Sequence, residues 1–198
     1  MIIILLGGIG SGKTLSAVKE IADNKQYAIT NFRTNFKNSH RIKVTDIIKY
    51  SDDKKTVNVN WEFWENVKAK HPSYSIFLDE IHNLIHSRKS MSKTNILMSK
   101  WVSQIRKILS DHPNNHLYLI SQTMRKIDVD FRELASLIIT CQKMDYNGKI
   151  LIKQNYYNSF MDLEMGYKAA SRVFSGNEYF KHYKSTELVT FSDADEYV

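Results

Sequence analysis

Residues 7–14 of the chain read "GGIGSGKT" and match the pattern G-x-x-x-x-G-K-[ST] without a mismatch. Gly7, Gly10 and Gly12 carry no Cβ atoms, so backbone N–H groups can close around a phosphate. In such a loop Lys13 can reach the β- and γ-phosphates of a nucleotide, and Thr14 can hold Mg²⁺. The spacing therefore predicts a phosphate-binding loop, and the alternative is a glycine-rich turn that only joins two elements.

Two adjacent acids form the second motif, within "YSIFLDEIHNLI" (residues 74–85). Asp79 ends an apolar strand and can orient Mg²⁺ or its water shell, as in a Walker B motif. Glu80 can then polarise an attacking water as a general base. A small-molecule kinase must exclude water, so the acid pair favours an NTPase. The alternative is an acid pair that complements a helix dipole.

A third strand, "HLYLISQT" (residues 116–123), comes after the turn-forming residues 113–115 and ends in polar side chains. Ligands of a doubly wound sheet lie at the carboxyl ends of its strands. We therefore expect Gln122 to lie near the γ-phosphate, beside Asp79 and Glu80, where it could sense the phosphate or orient water. The alternative is an ordinary polar strand end.

One histidine pair could suggest a metal site. His82 and His86 are spaced i, i+4 directly after the acid pair, which could place both imidazoles on one helix face. The sequence offers no third ligand. We therefore favour polar helix residues near the site.

The elements around these motifs alternate between strands and helices. Strands are predicted at residues 2–6, 27–32, 76–78, 116–123 and 136–142, with helices after residue 14 and over about 92–110. This alternation predicts a three-layer α/β domain over residues 1–142. The Asn-Gly pair in "KMDYNGKILIKQNYY" predicts a β-hairpin, so residues 143–198 are expected to form a C-terminal hairpin and an irregular, aromatic-rich tail packed on the core.

Composition narrows the class of protein. The 198 residues carry a formal net charge of +7, which fits a polyanionic partner. Cys141 is the single cysteine, so no intrachain disulfide can form and a reducing compartment is expected. No apolar run is long enough to cross a bilayer, so the sequence predicts a soluble intracellular protein without membrane insertion.

The motif order "GGIGSGKT", "IFLDEIHNL", "WVSQIRKI" and "LYLISQTMRKIDVDFREL" resembles the FtsK–HerA superfamily of DNA-pumping ATPases, over roughly residues 1–142. The chain length is similar to that of the genome-packaging ATPases of membrane-containing icosahedral viruses, such as turreted archaeal viruses. "DEIHN" and "YKSTELV" also resemble Zot-like proteins of filamentous phages. The resemblance implies a RecA-like P-loop NTPase fold of the additional-strand catalytic-glutamate type. It also implies a homo-oligomeric ring, with a hexamer favoured, and double-stranded DNA as the translocated substrate.

The resemblance also implies roles for single residues. Glu80 would be the catalytic base and Gln122 the sensor, with Lys13 on the phosphates of ATP and Thr14 and Asp79 at Mg²⁺. The residues expected to contact the nucleotide are Gly7, Gly8, Ile9, Gly10, Ser11, Gly12, Lys13, Thr14 and Leu15.

An arginine finger is expected from the resemblance. Arg106 is the first candidate, because it fits the "RK" pair before the sensor strand and lies at the edge of its helix's apolar stripe. Arg88, Arg125 and Arg132 lie near motif ends and are alternatives.

The loop "SRKSMSK" (residues 87–93) is the predicted DNA contact. Arg88, Lys89 and Lys93 alternate with small residues, which suits phosphate contacts that form and break during movement. The alternative is a solvated surface loop, and Lys149 and Lys153 of the hairpin are the next candidates.

The leading functional hypothesis is an ATP-driven DNA motor that packages a viral genome into a preformed capsid. Such a motor would work in the host cytoplasm, transiently at a capsid vertex, with a capsid or membrane protein as docking partner. One alternative is a Zot-like phage morphogenesis or secretion ATPase, which usually continues into a membrane segment. A nucleotide or nucleoside kinase and a nucleotide-gated binding module are the others.

Overall fold

A computed structural model describes residues 1–50, 57–80, 101, 103–109, 112–127 and 129–183. Most of the strands are short, and several consist almost entirely of buried apolar residues. In chain order the strands are β1 (Ile2–Leu6), β2 (Tyr27–Thr30), β3 (Ser39–Arg41), β4 (Ile48–Tyr50), β5 (Val57–Val59), β6 (Tyr74–Leu78), β7 (His116–Ser121), β8 (Leu137–Tyr146), β9 (Lys149–Tyr157) and β10 (Ala170–Ser175).

The main sheet has the strand order β10-β9-β8-β1-β7-β6-β2-β3. The six strands from β8 to β3 are parallel, whereas β9 and β10 add to the β8 edge in antiparallel pairing. Strand β7 lies between β1 and β6, and so separates the strand before the glycine-rich loop from the strand before the acid pair. This inserted strand confirms the predicted P-loop fold of the additional-strand type.

Helices cover both faces of the sheet. In chain order they are α1 (Lys13–Asn24), α2 (Val44–Ile47), α3 (Trp61–Lys70), α4 (Ile105–Leu109), α5 (Val129–Leu134) and α6 (Phe160–Met165), with 3₁₀ turns at Met124–Lys126, Gly176–Glu178 and Phe180–His182. Alternate residues of β1 point to opposite faces, so Ile3 and Leu5 pack in the α1 layer while Ile4 packs with Trp64 and Trp101. The result is the three-layer α/β architecture that the sequence predicts.

The C-terminal hairpin is confirmed, whereas the tail beyond it differs from the prediction. Strands β8 and β9 pair from Ile138–Tyr157 to Tyr146–Lys149, and the turn residues Asn147 and Gly148 both have positive φ, 52° and 72°. Up to residue 183, where the described residues end, the tail is not irregular, because it forms α6 and the edge strand β10. Most side chains of β10 are exposed, so its sequence lacks the apolar alternation that indicates a strand. The predicted domain boundary at residue 142 falls within β8 and stays a prediction.

The predicted helix over about residues 92–110 lies partly outside the described residues. In the described part, α4 buries Ile105, Ile108 and Leu109 in the core, as its apolar spacing predicts. No helix among the described residues is both long and apolar enough to cross a membrane.

Candidate active site

The glycine-rich loop joins β1 to α1 at the carboxyl edge of the sheet. A Cβ atom at Gly7 would lie only 2.6 Å from the Cys141 carbonyl oxygen, and one at Gly12 would overlap Ile152 of β9. Gly12 also has a φ of 91°, which side chains other than glycine rarely adopt. Both glycines are therefore required for the loop to curl between β1, β8 and the hairpin.

The polar groups inside the loop fit a phosphate. The Lys13 ammonium group donates to the Gly8 carbonyl oxygen at 3.0 Å, so the side chain folds back over the loop and is only 6% exposed. The Ser11 hydroxyl is buried and has no hydrogen-bond partner among the described residues. A buried cation and a buried hydroxyl, next to loop amides and a helix N-terminus, are the donors that bind a phosphate.

Thr14 and Asp79 meet across the site. The Thr14 hydroxyl donates to Asp79 Oδ2 at 2.6 Å, and the backbone N–H of Glu80 donates to Asp79 Oδ1 at 2.8 Å. Burial raises the pKa of Asp79, while the hydrogen bonds from Thr14 and Glu80 and the charge of Lys13 oppose that rise. A hydroxyl and a carboxylate oxygen are ligands that suit Mg²⁺, so this pair fits the predicted metal position.

Asn31, which the sequence analysis did not identify, fixes the backbone of Asp79. Its side-chain amide donates to the Asp79 carbonyl oxygen at 2.8 Å, and its Oδ1 accepts from the Asp79 N–H at 2.7 Å. Asn31 is fully buried directly after β2, the sheet neighbour of β6. The sequence signal was a polar residue near the end of the strand predicted at residues 27–32, but the sequence does not show that this strand adjoins β6.

Glu80 and Gln122 come together as predicted. The Gln122 amide nitrogen lies 3.4 Å from Glu80 Oε1, and Lys126 Nζ lies 3.3 Å from Gln122 Oε1. Glu80 has a φ of 47°, a conformation that is uncommon outside glycine and that clusters at functional sites. The inserted strand β7 thus positions an amide against the predicted base.

The C-terminal part of the chain contributes to the site in a way that the sequence analysis missed. Ile152 and Phe174 pack on Leu15 directly behind the loop, so the Leu15 side chain belongs to the core and only its backbone could face a nucleotide. Tyr183 packs beside this cluster, and burial, followed by the charge of Asp79, raises its pKa. Ile152, Phe174 and Tyr183 therefore form a wall of the site.

The arginine-finger candidates within the described residues lie in different parts of the fold. Arg106 is exposed on α4, two residues before Ile108, whose carbonyl oxygen accepts a hydrogen bond from the Tyr74 hydroxyl at the start of β6. It therefore lies toward the end of β6 opposite Asp79. Arg125 is exposed in the 3₁₀ turn after β7, on the same edge as Gln122, and Arg132 is partly buried in α5. The assignment of a finger stays a prediction.

Several predicted residues lie outside the described part of the chain. These are the histidine pair and the cationic loop, namely His82, His86, Arg88, Lys89 and Lys93. Within the described residues, no three His, Cys, Asp or Glu side chains gather as a metal site would require.

Comparison with solved structures identifies proteins of similar fold. The N-terminal domain of zonular occludens toxin from Neisseria meningitidis matches with a TM-score of 0.57 and 15% identity, over 92% of this chain and 98% of that one. The genome packaging NTPase B204 from Sulfolobus turreted icosahedral virus 2, in complex with ATP-γS, matches with a TM-score of 0.46 and 14% identity, over 87% of this chain and 95% of that one. A Zot-like protein, one of the groups that the sequence resembles, thus has a similar fold.

Sequence comparison gives the family. A search of curated proteins finds no match. Residues 3–145, from β1 nearly to the end of β8, match the family described as "ATPase family associated with various cellular activities (AAA)". The match covers the glycine-rich loop, the acid pair and Gln122. The protein is accordingly a P-loop ATPase that belongs to the AAA family.

Proposed function

We propose that this protein hydrolyses ATP to translocate double-stranded DNA, and that this movement packages a viral genome into a preformed capsid. The observation that carries the proposal is the meeting of Thr14 with Asp79 and of Gln122 with Glu80 at one sheet edge. The net charge of +7 supports a polyanionic partner.

In this proposal the residues of the site divide the work of hydrolysis. The loop from Gly7 to Leu15 binds the phosphates of ATP, and Lys13 neutralises their charge. Thr14 and Asp79 would hold Mg²⁺, which supplies further positive charge at the β- and γ-phosphates. Glu80 accepts the proton of the attacking water, and Gln122 orients either that water or the Glu80 carboxylate.

Assembly supplies the remaining parts of the proposed motor. A ring of subunits, with a hexamer favoured, would bring Arg106 or Arg125 of one subunit to the nucleotide of the next. The loop with Arg88, Lys89 and Lys93 would face DNA in the channel. The motor would act in the host cytoplasm and dock on a capsid or membrane protein.

A second candidate is a Zot-like morphogenesis ATPase, and a specific observation favours it. The fold of this chain matches 98% of the zonular occludens toxin domain, at the TM-score of 0.57 given above. A kinase is disfavoured, because a kinase must exclude water, whereas the Glu80 carboxylate, which contacts Gln122, is proposed to activate it.

Steady-state ATP hydrolysis with and without duplex DNA tests the proposal. We expect DNA to stimulate hydrolysis, and ATP to drive displacement of a third strand annealed to the duplex. Hydrolysis that DNA does not stimulate would favour the Zot-like candidate. Phosphate transfer to a nucleoside or nucleotide acceptor, in place of release to water, would favour a kinase.

A further inference from the structure

A groove of about 530 Å³ lies at the edge of the sheet opposite the nucleotide site. It opens where β2, β3 and β6 begin, whereas Asp79 and the glycine-rich loop lie where strands end. We call it the basic groove, and it is lined chiefly by Lys25, Tyr27, Lys37, Lys70, His71 and Ser73. The five residues of β6 span about 16 Å, so a ligand in this groove would not overlap a nucleotide at the loop.

The electrostatics of the basic groove favour an anion. Lys25, Lys37 and Lys70 are all exposed, and none of them pairs with a carboxylate among the described residues. The lining contains no Asp or Glu. The helices α1 and α3 end here, and each contributes roughly half a negative charge. Three full positive charges outweigh these, so a net charge of about +2 remains.

The floor of the basic groove is held by side-chain contacts and offers a further group that could bind a ligand. The rings of Tyr27 and His71 stack at 3.6 Å with an angle of 2° between them. Asn38, in the loop after Lys37, donates to the Gln26 carbonyl oxygen at 2.6 Å and so holds the two sides together. The buried Ser73 hydroxyl has no hydrogen-bond partner among the described residues, which leaves a donor for an incoming acceptor.

We infer that the basic groove binds successive phosphates of a DNA backbone. Lysines on three separate chain segments can contact neighbouring phosphates, and a hydroxyl donor is a common additional phosphate contact. The inference rests on the proposed function, because it gives the DNA partner a second point of contact, remote from the ATPase site. Contacts of this kind position DNA and do not read its sequence.

The test measures binding of a short labelled DNA duplex by fluorescence anisotropy, without nucleotide, over a series of KCl concentrations. The variant is Lys25→Gln, Lys37→Gln and Lys70→Gln in one chain. Each phosphate contact contributes about −0.9 to the slope of log K against log salt, so the slope should become less negative by about 2–3. At the lowest salt concentration, the affinity for DNA should fall at least tenfold. Each phosphate contact raises the affinity by about eightfold for every tenfold decrease in salt concentration, and the variant loses this gain.

A matched control removes the same charge elsewhere. Lys43→Gln, Lys143→Gln and Lys168→Gln change exposed lysines outside the groove, and we expect this variant to keep most of the wild-type slope. Equal loss in both variants would overturn the inference, since it would reflect net charge alone. A larger loss in the control would overturn the inference by placing the DNA contact at the control lysines. Competition by polyglutamate as effective as that by DNA, at equal charge concentration, would also overturn the inference by pointing to an acidic protein.

The outcome separates this inference from the proposed function. If DNA stimulates hydrolysis but the groove variant binds DNA as tightly as the wild type, the basic groove is not a DNA contact, and the proposed motor function is unaffected. If DNA binding depends on the groove lysines but DNA does not stimulate hydrolysis, the proposed motor function is wrong, and the basic groove is still a DNA contact. Urea midpoints of all variants confirm that each one is folded.

Discussion

Replacing Asn31 with alanine should destabilise the protein substantially, although the Asn31 side chain is not predicted to contact ATP or Mg²⁺. The substitution removes two hydrogen bonds to the backbone of Asp79, at 2.7 and 2.8 Å, in a fully buried position. A buried backbone group that loses its partner costs about 1–3 kcal/mol, so the two together cost about 2–6 kcal/mol. With a urea m-value of about 2–3 kcal/mol/M, the midpoint should fall by about 0.7–3 M.

Urea denaturation followed by tryptophan fluorescence measures this change. Asn24→Ala is the matched control, because Asn24 is exposed at the end of α1 and makes one long hydrogen bond of 3.4 Å. That variant should lose no more than about 0.5 kcal/mol. A loss below about 1 kcal/mol for Asn31→Ala, at unchanged m-value, would refute the reasoning, since it would mean that water replaces both hydrogen bonds.

Three further predictions concern the active site. Glu80→Gln should lower ATP hydrolysis by about 10²-fold or more, the usual contribution of a general base, while fluorescent-nucleotide titration shows ATP still bound; Lys13→Ala should instead weaken ATP binding. If Arg106 acts in trans, mixing inactive Arg106→Ala and Glu80→Gln subunits should restore hydrolysis at mixed interfaces, whereas each variant alone stays inactive. Burial raises the pKa of Cys141 to about 11, so its thiolate fraction near neutral pH should be about 100-fold below that of an exposed thiol, and a thiol reagent should react slowly until urea is added.

Each of these predictions has an outcome that contradicts it. Wild-type hydrolysis by Glu80→Gln would remove Glu80 as the base. Absence of recovery in rings shown to contain both subunits would exclude Arg106 and turn attention to Arg125, which lies on the site's own edge. Reaction of native Cys141 as fast as in urea would show that the strand around it opens readily.

The parts of the site carried by contiguous motifs could be predicted from the sequence, because spacing alone places them. The loop from Gly7 to Thr14 and the acid pair at Asp79 each depend only on a strand, a turn and a helix that are close in the chain. The position of Gln122 beside the acid pair needed one further assumption, namely that both strands are parallel and therefore end at the same edge of the sheet.

Contacts that depend on strand order could not be predicted in the same way. Asn31 meets Asp79 because β2 happens to adjoin β6, and Ile152 meets Gly12 because the chain returns through β9. Neither adjacency can be deduced from hydrophobic periodicity. The elements β3, α2, β4 and β5 were missed because each has only three or four residues, and the edge strand β10 was missed because its side chains are largely exposed.

The hairpin of β8 and β9 has a mechanical consequence. Only residues 137–140 of β8 pair with β1, so the remainder extends beyond the parallel sheet as an antiparallel arm, which β10 joins along residues 151–156 of β9. Ile152, at the root of this arm, is in contact with Gly12, and the turn at Asn147–Gly148 lies about 15 Å beyond it. We therefore expect the arm to act as a lever, in which a rotation of about 10° at the loop moves the tip by about 2–3 Å. A conformational change in the phosphate-binding loop would thus displace residues at the molecular surface, where a neighbouring subunit of the proposed ring could contact them.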